Sequence, residues 1–153
     1  MGNIFNDDFR DFIRALNQNE VHYLLVGGFA VILHGHSRTT GDMDIWVECS
    51  RENYKKLAKA FFDFGLSVFD MTEERFLDPT KHDVFRFGRN PVAIDIMTKM
   101  SNFNFAEAYA LKTLYIDEDL PIQLIHKNTL LEAKRAAGRQ KDLNDLEWLG
   151  DSE

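Results

Sequence analysis

Apolar positions along the chain follow two periods. Phe5, Phe9, Phe12, Ile13 and Leu16 recur at helical spacing and predict an amphipathic helix near 5–18. Val21–Val26 is short, β-branched and apolar, the pattern of a buried strand, and Gly27-Gly28 breaks it. Phe29–Leu33 predicts a short helix, His36–Gly41 a polar turn, and Met43–Val47 a second strand. Ser50 is a good N-cap for a helix over about 51–64, which Gly65 ends.

Further on, Asp83–Phe87 and Val92–Met97 predict two strands around a turn at Gly88-Arg89-Asn90-Pro91. Leu111–Ile116 and Ile122–Ile125 predict two more. Thr129-Leu-Leu-Glu132 has the form of a capping box opening a helix that Gly138 ends or kinks, and Arg139–Leu149 predicts a last helix. Helices and strands alternate without a repeating βαβ unit. The expected class is therefore α+β, a mixed α/β arrangement with a central mixed sheet flanked by helices and two C-terminal helices. At 153 residues, with no repeat or linker, the chain is expected to form one domain.

Composition narrows the function classes. A formal charge of −7 and a pI near 5.2 disfavour non-specific binding of nucleic acid or anionic membrane, so nucleic acid enters only as an acceptor. Cys49 is the single cysteine, which excludes an intrachain disulfide, disfavours a cysteine-based zinc site and fits a reducing cytoplasm. The N-terminus lacks the apolar segment of a signal peptide, and no run approaches a membrane span.

The chemistry concentrates at Leu25-Val26-Gly27-Gly28 and, thirteen residues later, Asp42-Met43-Asp44-Ile45. Alternate strand residues share a face, so Asp42 and Asp44 project together, and a divalent cation relieves their repulsion. Asp95, inside the apolar Val92-Ala93-Ile94-Asp95-Ile96-Met97, is costly to bury as an ion unless paired. A shared metal would pair it, and so would a salt bridge to Arg86 or Arg89. Three carboxylates on neighbouring strands suit two Mg²⁺ or Mn²⁺ ions. Gly27-Gly28 at a strand-to-helix turn would let backbone N–H groups approach a triphosphate.

This pattern resembles the nucleotidyltransferase superfamily, with its DNA polymerase β-like palm. Arg38-Thr39-Thr40-Gly41-Asp42-Met43-Asp44 looks like the version seen in small bacterial members, some from toxin–antitoxin or phage-defence systems. The resemblance covers about residues 21–97 and, more loosely, the tail helices at 127–149. It implies that Asp42 and Asp44 bind both metals and that Asp95 ligates one and helps activate the acceptor hydroxyl. It places Gly27 and Gly28 by the nucleotide phosphates, where many members carry Gly-Ser. Arg38 and Thr40 complete the nucleotide set. Arg38 also has a reading as a partner of Asp42, and Thr39 and Thr40 as loop residues bonding the local backbone. Lys134, Arg139 and Lys141 form a basic stretch that would contact phosphate or acceptor, or else a solvated helix face.

The implied activity is transfer of a nucleoside monophosphate from an NTP such as ATP to an unidentified hydroxyl, with release of pyrophosphate. An alternative is a weakly catalytic module of the same fold acting through a protein partner encoded nearby. A third is a phosphohydrolase using the same carboxylates. His34 and His36 have metal-pair spacing but no third ligand. Cys49 has no activating neighbour, and Phe61, Phe62, Phe64 and Phe69 are expected to serve the core.

Overall fold

A computed structural model describes residues 7–35, 41–89 and 92–149. In chain order the elements are α1 (Asp7–Gln18), β1 (Tyr23–Val26), α2 (Gly27–Leu33), β2 (Asp42–Val47) and α3 (Arg51–Phe64). There follow α4 (Glu73–Phe76), β3 (Val84–Arg89), β4 (Val92–Met97), α5 (Phe105–Ala110), β5 (Thr113–Asp117), β6 (Leu120–Leu124), α6 (Lys127–Ala137) and α7 (Gln140–Leu149).

The strands form one mixed sheet in the order β3-β4-β2-β1-β6-β5. β2 pairs antiparallel with β1 and parallel with β4, and β6 runs parallel to β1. Strand alternation assigns two faces. Tyr23, Leu25, Met43, Ile45, Ile94, Ile96, Phe85 and Phe87 line one, all buried, where α1 and α3 cover them. Phe61 of α3 is the hub there, packing edge-on against Phe12 of α1 at 5.4 Å and Phe87 of β3 at 4.7 Å. Asp42, Asp44, Asp95 and Arg86 belong to the opposite face.

Local chemistry explains why the elements sit where they do. Ser50 caps α3 by accepting from the Asn53 amide, and Gly65 closes it in a left-handed conformation at φ 93°. Buried Asn53 accepts from the His22 backbone N–H at 2.8 Å and donates to the carbonyls of His22 and Glu48, so α3 pins the end of the β1–β2 pair. Trp46, on the carboxylate face, is buried and packs edge-on against Phe105 of α5 at 5.1 Å.

Several expectations need correction. α2 includes Gly27 and Gly28 rather than starting at Phe29. β3 runs on through Gly88 and Arg89, so the expected turn is shorter, and Asn90 and Pro91 lie outside the described residues. α6 begins two residues before the supposed cap Thr129, because the His126 ring accepts from the Asn128 amide at 3.0 Å; Thr129 is buried inside the helix. α4 and α5 were not expected. Of the four phenylalanines assigned to the core, Phe61 is buried and Phe64 partly buried, but Phe62 and Phe69 are exposed.

Candidate active site

Asp44 sits at the centre of the sheet. Its Cα partners are Val26 on β1 and Asp95 on β4, and Asp42 lies two residues away on the same face. Burial pushes the Asp44 carboxyl up to about 6, and the charges of Asp95 and then Asp42 push the same way. Asp44 and Asp95 also come within hydrogen-bonding reach, a contact that needs a proton on one of them.

Gly27 stands directly against this carboxyl. Its φ is +69°, and a Cβ there would overlap Asp44 Oδ2 and lie 2.8 Å from its Cγ. The glycine is therefore required twice, by the backbone and by the carboxylate beside it. The sequence points to phosphate approach at Gly27 and carries no local sign of this contact with Asp44. Gly28 is buried in the first turn of α2.

Arg86, opposite Asp95 on β3, is a cation that two of the three acids meet. Its Nη2 lies 3.2 Å from Asp42 Oδ2 and 3.1 Å from Asp95 Oδ2, and its Nε lies 3.1 Å from Asp95 Oδ1. The two carboxylates in turn hold the guanidinium even more firmly in its charged form, Asp95 first. This is the salt bridge weighed for Asp95 in the sequence. The side chain of Arg89, the other candidate, lies outside the described residues. Asp95 Oδ1 is still a buried oxygen without a hydrogen bond, since the Nε contact is an ion pair only.

Hard carboxylate oxygens, one of them buried with no hydrogen bond, are a donor set that fits Mg²⁺ or Mn²⁺. In the arrangement described, no three Asp, Glu, His or Cys among the described residues are grouped to hold a metal ion, and Arg86 engages two of the three acids.

Beside Asp44 opens a cleft of about 320 Å³. Val26, Gly27 and Asp44 line its sheet side, and Met97, Lys99 and Met100 one wall. Leu130, Ala133, Lys134 and Ala137 of α6 line the other, with Arg139 at its end. A second hollow of about 340 Å³ follows the outer edge of β3 between Phe69, Arg75 and His82, and touches the acids only through Arg86.

The three tail cations part company. Lys134 is buried, its ammonium 3.1 Å from Asp142 and 3.2 Å from Asp145, so it ties α6 to α7. Arg139 bonds Asp142 at 2.6 Å, yet Asp44 is among the charges that keep it protonated. Exposed Lys141 is close enough to Asp44 to draw its pKa down. Arg38 and Thr40 lie outside the described residues, as does His36. His34 Nε2 lies 2.8 Å from the Ile125 carbonyl oxygen, and its pKa is lowered mainly by burial. The half-buried Cys49 thiol donates to the Phe76 carbonyl and is pushed up by burial, away from reactivity. Sequence reading gave no role to Lys99, and its only signal was position two residues beyond β4.

No protein-family profile and no curated protein matches the chain. Solved structures do. The lincosamide antibiotic adenylyltransferase LnuA, in its lincomycin-bound form, is 18% identical with a TM-score of 0.62, over 97% of this chain and 98% of that one. A candidate nucleotidyltransferase from Thermotoga maritima is 16% identical, TM-score 0.61, over 94% and 91%. ANT(2'')-Ia in complex with adenylyl-2''-tobramycin is 14% identical, TM-score 0.60, over 94% and 86%. At these identities the likeness is one of fold: the chain has the nucleotidyltransferase fold.

Proposed function

We propose that this chain, built on the nucleotidyltransferase fold, transfers a nucleoside monophosphate from an NTP to a hydroxyl acceptor in a metal-dependent reaction. The observation that carries the reading is the register of β2 on β4. It sets Asp44 beside Asp95, with Asp42 on the same face, at the mouth of a cleft that opens on Gly27. Arg86 offsets only part of the like charge, and Asp44, buried beside Asp95 and Asp42, keeps a standing cost that a divalent ion would remove.

In this reading Asp42 and Asp44 would hold two divalent ions and Asp95 would help to ligate one of them. When bound, the ions offset the triphosphate charge and make the acceptor hydroxyl more acidic. Asp95 accepts the hydroxyl proton. The Gly27-Gly28 turn, with no side chain in the way, admits the triphosphate against backbone N–H groups. Met97, Met100 and the α6 alanines offer an apolar wall to the base. Arg139 and Lys141, which already feel the Asp44 charge, stabilise the departing pyrophosphate. Among the described residues no helix is long and apolar enough to cross a membrane.

The test is calorimetric titration of Mg²⁺ with a non-hydrolysable ATP or GTP analogue, on wild type and Asp44→Asn. Pyrophosphate release is then assayed against a panel of hydroxyl acceptors. Lincomycin and tobramycin head that panel because the neighbouring folds carry them. Metal-dependent nucleotide binding that Asp44→Asn loses supports the reading. Nucleotide binding by neither protein rejects it.

A further inference from the structure

We infer that Arg86 is a built-in counter-cation of the carboxylate site, spanning Asp42 and Asp95 when no metal is bound and withdrawing from them when divalent ions are ligated. The inference rests on the metal-dependent reading above and assigns a positioning role within it.

The geometry is specific. One guanidinium nitrogen, Nη2, serves two carboxylates at 3.2 and 3.1 Å, while Nε meets the second oxygen of Asp95 at 3.1 Å. A bridging cation between acids on adjacent strands is the task a metal would perform, done here by a side chain. The register makes it so: Arg86 is the Cα partner of Asp95, and Asp95 that of Asp44. Arginine is suited to this, since its planar fork reaches two acceptors at once and stays charged at any pH the protein survives.

The fork and an incoming metal ion would contend for the same acids. A guanidinium has no lone pair to offer, so it and a divalent ion compete for the same oxygens. Arg86 also has somewhere to go. Its side chain is 45% exposed on an edge strand, and it borders the open 340 Å³ hollow beside β3. Release therefore needs a change of side-chain rotamer and no movement of the sheet. Metal affinity in this protein is accordingly the outcome of an exchange, with one resident cation displaced by incoming ones.

The test uses Mn²⁺ alone, titrated by calorimetry into the full chain as wild type, Arg86→Gln and Arg86→Lys. Circular dichroism confirms that each is folded. Arg86→Gln should bind Mn²⁺ about fivefold more tightly, the scale of one partly exposed ion pair removed from the competition. Its melting temperature should fall in chelator and rise further on Mn²⁺ addition than that of wild type. Arg86→Lys keeps the charge without the fork and should tighten binding less. Wild-type Mn²⁺ binding that neither variant tightens overturns the role of Arg86 and leaves the metal site standing. If all three proteins ignore Mn²⁺, both this inference and the metal-dependent reading fail.

Discussion

Asp44→Asn should make the metal-free protein more stable at pH 8. The carboxyl is raised from an ordinary 3.8 to about 6, first by burial and then by Asp95 and Asp42. Holding it ionised at pH 8 therefore costs the fold about 3 kcal/mol. Asparagine keeps the shape, drops the charge and offers an N–H₂ to Asp95. Against this stands roughly 1 kcal/mol for a buried amide with imperfect partners. The net gain is about 2 kcal/mol, or roughly 4–8 °C in Tm for a chain of this size. The sign follows from linkage. A folded-state pKa above the unfolded one gives stability that is complete below pH 3.8 and lost as pH rises through about 6. The variant lacks that dependence, so its lead of about 2 kcal/mol at pH 8 should vanish between about pH 4 and 5, with wild type level or slightly ahead below that. Urea unfolding in chelator at both pH values measures it. A variant equal to or weaker than wild type at pH 8, or a lead of the variant that persists at pH 4, would refute the reasoning. Saturating Mn²⁺ should reverse the order, because only wild type keeps the full ligand set.

Two other substitutions probe the walls of the site. Gly27→Ala should destabilise by about 2 kcal/mol, from the left-handed backbone at φ +69° and the displaced Asp44, and should weaken Mn²⁺ binding at least tenfold by calorimetry. Lys134→Met should cost about 3 kcal/mol in urea unfolding, since it leaves buried Asp142 and Asp145 without their shared ammonium. Loss of nucleotide binding from this variant without loss of stability would instead return Lys134 to the phosphate role read from the sequence.

The acids were legible in the sequence because strand alternation is local: Asp42 and Asp44 share a face whatever lies beside them. Their meeting with Asp95 needed the resemblance as well as the pattern, since no local rule says that β4 runs parallel to β2. Arg86 was visible only as a possible partner, because its place opposite Asp95 is a matter of register between β3 and β4. The pairing of Lys134 was hidden for a geometric reason. Heptad spacing puts Lys127, Lys134 and Lys141 on one face of a continuous helix, but Gly138 turns the chain at φ 64° and Lys134 ends up inside the α6–α7 joint. α4 and α5 escaped notice because four and six residues are too few to display a helical stripe. His126 escaped as a cap because histidine is not among the residues usually sought there.

The parallel pairing of β2 with β4 also has a kinetic meaning. α1, β1, α2 and β2 are contiguous in sequence and can assemble with Asp42 and Asp44 still facing water. The acids confront Asp95 only when the β3–β4 unit docks on β2, a contact distant in sequence that closes a long loop. Refolding of the metal-free chain should then slow between about pH 4 and 6, because Asp44, ionised above 3.8 while exposed, must be buried beside Asp95, and stopped-flow refolding in chelator measures it. Divalent ions, and Arg86 arriving on the same unit, would speed the docking. Acids that meet only across the β2–β4 pairing would thus also set the tempo at which the protein is made.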